Sequence, residues 1–384
     1  MPHIVYIYPE ITIKGGADRV IVEKANYLVQ HGCVVTIITE SQLGREPSFP
    51  LHPAVKHVDM GLDFNRQYEY GMVQRLCVYL SLMQQYKRKL HAVLHEEQAD
   101  IVITALGRSI DIITSMDEGS VKLGESHSVK AHLRSFYLMR RKGFLWSMVA
   151  QWMRWLTIRH VAKLDALVLL TQDDAAEWTE ARRTFVIPNA APTIPQDAAM
   201  LQHQQAIMVA RYNDAKGYDY LIEAWNIVHH CHPEWQLNVY GSGEMHNQVI
   251  SWIQEKNLSK SIILHEPVDN IMNQYMESSF CVMSSRYEAF PMVLLEAMAC
   301  GVPCVAFDCP HGPRNIIRHE EDGLLVEYLN PQALADSICR LIEDETLRRR
   351  LGTNARRNIQ RFSKETVMRQ WMDLFQQLTQ ERQS

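Results

Sequence analysis

Residues 4–39 read IVYIYPEITIKGGADRVIVEKANYLVQHGCVVTIIT and contain a complete strand, helix and strand pattern. Residues 4–8 and 34–39 are rich in apolar and β-branched side chains, which predicts two buried strands. Between them, Ala17 to His31 carries apolar residues at helical spacing, and Gly32 supplies the helix stop. This order of elements is the unit from which a doubly wound α/β sheet is built.

The same alternation continues outward from this unit. Further strands are expected in the first half at 101–104, 121–124, 166–170 and 184–187. Prolines near Pro188 and polar residues up to Gln205 interrupt the pattern and indicate a linker. A second alternation then supplies strands at 206–209, 236–240, 261–264, 280–283, 303–307 and 323–326, with helices at 218–230, 245–256, 292–300 and 331–343. The predicted fold class is α/β, with two Rossmann-like doubly wound domains facing a central cleft: residues 1–188, a linker at 189–204, and residues 205–363.

The composition, the first residues and the cysteines indicate the class of protein and its compartment. The chain has 384 residues, of which 47% are apolar and 22% charged, a balance typical of globular proteins. Its start enters a strand without the features of a signal peptide, and its eight cysteines form no C-x-x-C pair. We therefore expect a cytoplasmic protein with reduced thiols.

Three glycine or cation segments follow predicted strands. Gly15 and Gly16 precede a helix, where backbone amides can approach an anion or simply form a tight turn. Arg211 and Lys216 follow the strand at 206–209 and suit a diphosphate clamp, although solvated surface cations fit equally well. The segment at 240–244 lacks the third glycine of the dinucleotide fingerprint, so a dehydrogenase is not supported.

The most specific segment is 284–303, SSRYEAFPMVLLEAMACGVP. Pro291 suits a first helical position, which places Glu288 in a loop and Glu296 within the helix. Carboxylates accept hydrogen bonds from vicinal hydroxyls, so this pair suits a sugar and a ribose. Two surface glutamates are the alternative, but Glu296 lies among apolar residues where an unpaired carboxylate is costly.

Together these segments resemble the retaining glycosyltransferases of family 4, which have the GT-B fold. The resemblance extends over the whole chain and includes 15–19, 124–127, 188–190, 210–217, 240–244 and 288–303. It implies a nucleotide sugar as substrate, no cofactor and no metal. It also implies that the final helix, 364–384, packs back on the first domain. Asn315 stands where relatives commonly have glutamate and is given no role.

The resemblance also assigns roles to individual residues. Arg211 and Lys216 are expected to bind the donor diphosphate, Glu288 the donor sugar and Glu296 the ribose. His127 is expected beside the anomeric carbon, although a lone histidine at a strand end is more often structural. The catalytic set is therefore His127, Arg211, Lys216 and Glu288. The donor-binding set is Gly15, Gly16, Arg211, Lys216, Pro267, Val268, Glu288, Phe290, Pro291, Met292 and Glu296.

A basic segment marks the first half. No acidic residue occurs between Ser126 and Leu164, where eight cations are interleaved with aromatic residues. This pattern favours an anionic membrane surface, whereas ordinary helices with core-facing aromatics are the alternative. The candidate membrane or acceptor surface consists of Lys130, Arg134, Arg140, Arg141, Lys142 and Trp146. Nucleic-acid binding is disfavoured because the remainder of the chain is acidic and carries no recognition module.

The expected function is transfer of a hexose or N-acetylhexosamine, from a UDP-sugar, to a lipid-linked saccharide in surface-glycan synthesis. The enzyme is expected to be peripheral on the inner face of the cell membrane. The alternatives are a GT-B-fold sugar-nucleotide epimerase or phosphorylase, or a catalytically silent nucleotide-sugar binder.

Overall fold

A computed structural model describes residues 2–12, 15–135 and 143–383 and divides the chain into two compact units. Unit 1 comprises Met1–Ile187 together with Met368–Ser384. Unit 2 comprises Pro188–Val367. Each unit contains one parallel sheet with helices packed against it.

In unit 1 the described strands form a seven-stranded sheet in the order β3-β2-β1-β4-β5-β6-β7, and every pairing is parallel. The strands are β1 (His3–Tyr8), β2 (Val34–Thr39), β3 (Lys56–Asp59), β4 (Ile101–Thr104), β5 (Val121–Glu125), β6 (Ala166–Leu169) and β7 (Thr184–Val186). The helices are α1 (Gly16–Gln30), α2 (Met72–Glu97), α3 (Ser109–Ile113), α4 (Phe144–Val161) and α5 (Gln172–Glu177), with 3₁₀ turns at Phe64–Glu69 and Lys130–Ser135.

Unit 2 contains a six-stranded parallel sheet in the order β10-β9-β8-β11-β12-β13. Its strands are β8 (Gln205–Val209), β9 (Gln236–Tyr240), β10 (Ile262–His265), β11 (Phe280–Met283), β12 (Cys304–Phe307) and β13 (Gly323–Val326). Its helices are α6 (Tyr218–Cys231), α7 (His246–Glu255), α8 (Ile271–Met276), α9 (Met292–Ala299), α10 (Gly312–Ile316), α11 (Pro331–Glu343) and α12 (Glu345–Asn358). The 3₁₀ turns are Asp214–Lys216 and Ile359–Phe362.

In both sheets the order in which successive strands are added reverses once, next to the first strand. Chain order runs one way from β1 to β3 and the other way from β4 to β7, and unit 2 repeats this pattern about β8 and β11. Such switch points open a crevice beyond the carboxyl ends of the two central strands, where ligands bind in doubly wound proteins. The predicted α/β class with two doubly wound parallel sheets is confirmed.

Local sequence explains the central strands and the helix ends. Ile4 and Val5 of β1 are fully buried, as expected for strands covered by helices on both faces. At the start of α11, the Asn330 side chain accepts a 3.1 Å hydrogen bond from the Ala333 amide, and Pro331 occupies the first turn. The sequence pattern did not predict β3 because none of its residues, KHVD, is fully buried and three of the four are polar.

The last helix, α13 (Lys364–Gln383), belongs to unit 1 from Met368 onward. The ring centroid of Trp371 lies 3.7 Å from Nζ of Lys24 in α1, and Trp371 is only 2% exposed. Phe375 is also buried, and Glu381 forms an ion pair with Arg183. Burial of apolar side chains therefore holds α13 against unit 1, and the buried ammonium group of Lys24 contacts the Trp371 ring.

In the described ranges, no helix combines the length and the apolar character needed to cross a membrane.

We expect Trp371→Ala to lower the free energy of unfolding of unit 1 by about 3 to 5 kcal/mol, because it removes a buried indole and leaves a cavity. Gln376→Ala, an exposed change in the same helix, should cost less than about 0.5 kcal/mol. Urea denaturation followed by circular dichroism measures both. Equal effects would contradict the packing described for α13.

A candidate active site

Two of the predicted donor residues of unit 2, Lys216 and Glu288, lie at its switch point. β8 and β11 are neighbours in the sheet, and the loops that follow them carry Lys216 and Glu288 respectively. Parallel strands present their carboxyl ends at one edge, so these two loops meet although the residues are 72 positions apart.

Gly217 joins the two loops. It has φ +61°, and a Cβ atom at this position would lie 2.1 Å from the Ser284 carbonyl oxygen. Ser284 Oγ donates a 2.9 Å hydrogen bond to the Lys216 carbonyl, and the Arg286 amide donates a 2.7 Å bond to Ala215 O. Only glycine permits both this conformation and this close approach.

Lys216 and Glu288 are in direct contact. Lys216 Nζ donates a 2.6 Å hydrogen bond to Glu288 Oε1, and Ser285 Oγ donates a 2.7 Å bond to the same oxygen. The side chains are 23% and 12% exposed, so the pair is reachable from solvent. A cation and a carboxylate therefore lie side by side at the carboxyl edge of the sheet.

The loop after β12 completes the setting of Glu288. The carbonyl oxygen of Glu288 accepts a 3.0 Å hydrogen bond from the Gly312 amide of this loop. His311, the preceding residue, adopts the strained angles φ 72° and ψ −76°. A Cβ on Gly312 would lie 2.7 Å from Pro291 Cδ. Sequence reasoning did not identify Ser285, His311 or Gly312 as site residues; the glycine after a strand was the available signal.

Arg211 differs from Lys216. Its side chain is exposed, and within the described ranges it has neither a hydrogen bond nor an ion pair. The glycines at 241 and 243 pack against this loop: a Cβ on Gly241 would lie 1.9 Å from Ala210 O, and the Tyr212 amide donates to Ser242 O at 3.0 Å. This segment therefore shapes the loop that carries Arg211.

Glu296 is 8% exposed within α9. Its Oε2 accepts a 3.4 Å hydrogen bond from the Tyr275 hydroxyl. Burial, and next the negative charge of Glu296, raise the pKa of Tyr275 well above its ordinary value. Tyr275 therefore stays protonated as a donor, and no motif in the sequence pointed to this residue. Pro291, predicted in the first turn of this helix, is instead its N-cap with ψ 109°, and Met292 begins the helix.

The remaining predicted donor residues of unit 2 lie in two places. Pro267 and Val268 are exposed in the loop after β10. Phe290 is buried against Phe362, with ring centroids 5.4 Å apart, so its side chain serves packing. Its backbone remains in the loop between Glu288 and α9.

In unit 1, Gly15 is the N-cap of α1 and Gly16 its first residue. Gly15 has φ −120°, a conformation open to other residues, so the backbone angle alone does not require glycine. His127 follows β5, and its Nε2 lies 3.4 Å from Oε1 of the buried Glu125. Burial lowers the pKa of His127 below its ordinary value; Glu125 opposes this shift and Lys24 adds to it.

The basic segment is placed differently from expectation. Lys130 is 8% exposed, and its Nζ donates 2.6 Å hydrogen bonds to Glu180 Oε2 and Glu177 O. The prediction that Lys130 lies on the surface is wrong, because Glu180, a carboxylate far along the chain, neutralises its ammonium group within unit 1. Arg134 is half-buried and donates to Thr157 Oγ1 at 3.1 Å. Arg140, Arg141 and Lys142 lie outside the described residues.

The aromatic residues of α4 face outward. Trp146 is 38% exposed, Trp152 60% and Trp155 50%, and the Arg159 guanidinium lies 4.7 Å from the Trp155 ring. The alternative interpretation, in which these aromatic residues face the core, is therefore wrong for this helix.

No group of three or more His, Cys, Asp or Glu side chains within the described ranges is arranged to hold a metal ion.

We expect Gly217→Ala to destabilise unit 2 by more than about 2 kcal/mol, because it adds a steric conflict with Ser284 to the strain of a left-handed residue. Gly61→Ala is the matched control: its φ is +60°, yet nothing lies within 4 Å of the added Cβ. Thermal unfolding of both variants separates the two effects. Similar losses would show that the close approach to Ser284 contributes nothing.

The sequence is similar to those of several known proteins. Residues 194–358 match the family model described as "Glycosyl transferases group 1". An exopolysaccharide phosphotransferase of Streptomyces coelicolor is 37% identical over 226 residues, 57% of this chain, but the match spans only 24% of that protein. An uncharacterized glycosyltransferase of Haemophilus influenzae is 26% identical over 383 residues, covering 97% of this chain and 99% of the relative.

Solved structures show the same fold. A crystal structure of Staphylococcus aureus TarM, in complex with fondaparinux, α-GlcNAc-glycerol and UDP, superposes with a TM-score of 0.80 at 16% identity and covers 98% of this chain and 100% of that chain. The chain has the GT-B fold, and residues 194–358, which lie within its unit 2, match glycosyl transferases group 1.

Proposed function

We propose that this chain is a retaining glycosyltransferase resembling family 4, which transfers a hexose or N-acetylhexosamine from a UDP-sugar to a lipid-linked saccharide during surface polysaccharide synthesis. The observation that carries this proposal is the contact of Lys216 with Glu288 at the switch point of unit 2. A cation suits the diphosphate of a sugar nucleotide, and an adjacent carboxylate suits the hydroxyls of the sugar attached to it.

The neighbouring groups extend this assignment. Arg211 has an exposed guanidinium free to form a bidentate contact with phosphate oxygens. Glu296, held by Tyr275 inside α9, supplies a second carboxylate for the ribose diol. Ser285 donates to Glu288, which leaves the second carboxylate oxygen of Glu288 for a sugar hydroxyl. Two carboxylates in different settings thus serve two different diols.

The proposed chemistry is electrostatic. As the bond between the sugar and the diphosphate breaks, negative charge grows on the leaving diphosphate, and Lys216 and Arg211 are the groups to stabilise it. Attack by the acceptor on the face that the diphosphate leaves retains the anomeric configuration without a carboxylate nucleophile. No metal ion is assigned to this step, since the two cations supply the positive charge.

Two comparisons support the choice of donor and product. The TarM structure was solved with UDP, which supports a UDP-sugar here. The Streptomyces relative is named for exopolysaccharide, which supports a polysaccharide product, although this chain spans a quarter of that protein.

The outer face of α4 supports the proposed membrane contact. Phe144 is 79% exposed, and Met148, Trp152 and Trp155, which helical spacing places on the same side, continue an apolar surface along the helix. Arg159 and Lys163 are exposed at its end. Aromatic and basic side chains together favour the interface of an anionic bilayer, where a lipid-linked acceptor resides.

A nucleotide-release assay tests the function. Purified protein is given UDP-, GDP- and ADP-sugars, with and without a lipid extract of bacterial membranes. Release of UDP, stimulated by the extract, with retained configuration in the product, is the expected result. Binding of every sugar nucleotide without release over many hours would instead indicate a silent binder.

We expect Lys216→Met to lower kcat by about 100-fold or more, because it removes the charge that stabilises the leaving diphosphate. Lys256→Met, an exposed lysine at the end of α7, is the control and should retain full activity. Steady-state kinetics with the active donor measure both. An unchanged kcat in Lys216→Met would remove this lysine from the mechanism.

The double variant Trp152→Ser and Trp155→Ser should lower binding to phosphatidylglycerol-containing vesicles by more than about tenfold, because two exposed indoles no longer enter the interface. Met200→Ser, which removes a 60% exposed apolar side chain in unit 2, should bind as the wild type does. Co-sedimentation measures the bound fraction. Undiminished binding by the tryptophan variant would contradict docking through α4.

A further inference from the structure

A buried ion pair in unit 1 has no role in the function proposed above. Lys24 on α1 donates a hydrogen bond to Oε1 of Glu125, the last residue of β5, and both side chains are nearly inaccessible, at 4% and 3% exposure. The two residues are 101 positions apart. Glu125 ends β5 at the carboxyl end of the sheet, two residues before His127.

Aromatic rings enclose the ammonium group. Nζ of Lys24 lies 3.7 Å from the Trp371 ring centroid and 5.5 Å from that of Tyr6. Removing two charges from water is costly, and apolar residues of similar volume often stabilise a fold as well as a buried ion pair does. Stability alone therefore gives little reason for this pair.

The pair lies against the imidazole of His127. Oε1 of Glu125, the oxygen bonded to Lys24, is also the atom 3.4 Å from His127 Nε2. Both ring nitrogens of His127 are buried, and among the described residues neither has a hydrogen-bond partner. Glu125 on β5 and Lys24 on α1 are the charged groups that act on this ring within the described ranges. The ring thus retains hydrogen-bonding capacity for a ligand.

The charges have opposing effects. Burial raises the pKa of Glu125, but Lys24 and His127 outweigh it and hold that pKa below its ordinary value, so the carboxylate stays ionised. Burial is the main reason that the pKa of His127 is lowered, and Lys24 lowers it further while Glu125 raises it. Lys24 therefore offsets part of the attraction that Glu125 exerts on an imidazolium proton.

We propose that Glu125 and Lys24 are positioning residues for His127: the charge of Glu125, 3.4 Å from Nε2, orients the ring, and Lys24 offsets that charge so that the imidazole remains neutral. The neutral ring then presents Nδ1 as an acceptor for a hydroxyl group of a saccharide substrate. This ligand assignment rests on the proposed function, whereas the charge arrangement around His127 does not.

The charge arrangement is tested by NMR titration of protein labelled with ¹⁵N-histidine, in which His127→Asn identifies the His127 signals. Lys24→Met should raise the pKa of His127, because the repulsion is removed and Glu125 remains. Glu125→Gln should lower it, because only burial and Lys24 remain. Lys24→Arg keeps the positive charge and should leave the pKa close to that of the wild type. Shifts of opposite sign support the proposal; no shift, or shifts of the same sign, would overturn it.

Kinetics test the link to the substrate. Glu125→Gln should lower kcat by up to about 100-fold with little change in the donor KM, because a misplaced ring contributes less to the reaction. Lys24→Met should move the acid limb of the pH profile of kcat to higher pH. If Lys24→Met does not fold, Glu125→Gln and Lys24→Arg still decide the question. Absence of sugar transfer in the wild type would refute the proposed function, while the titration would still report on the charge arrangement.

Discussion

The approach of Gly217 to the Ser284 carbonyl oxygen is the constraint on which the candidate site of unit 2 depends. A side chain at 217 would separate the loops after β8 and β11, and the hydrogen bonds from Ser284 and Arg286 to the first loop would be lost. Because the loops are joined, a lysine from one and a glutamate from the other come within 2.6 Å. The diphosphate and sugar ends of a donor can therefore be bound by adjacent side chains.

Two cation and carboxylate pairs in this protein have different physical settings. Lys216 and Glu288 are partly exposed, so a ligand can replace their mutual contact with contacts of its own. Lys24 and Glu125 are almost fully buried beneath Trp371, so water and ligands do not compete for them. The first pair suits binding, and the second suits a fixed electrostatic environment for a neighbouring residue.

The sequence predicted the fold well because the central strands are buried on both faces and leave a clear apolar pattern. It also predicted Lys216, Glu288 and Glu296 as candidate donor-binding residues from their segments, and these roles stay predictions. It could not show that Lys216 contacts Glu288, since such contacts depend on strand order in three dimensions. The same limit explains why Lys130 was wrongly predicted to lie on the surface. A run of cations is visible in the local sequence, but Glu180, which neutralises Lys130, is 50 residues away along the chain.

In the proposed function, Lys216 binds the diphosphate and Glu288 binds the sugar of one donor. Isothermal titration of UDP and of the active UDP-sugar into wild type, Lys216→Met and Glu288→Gln tests it most directly. We expect Lys216→Met to weaken binding of both ligands, whereas Glu288→Gln should weaken binding of the UDP-sugar and leave that of UDP unchanged. Equal losses for both ligands in Glu288→Gln, or undiminished UDP binding in Lys216→Met, would contradict it.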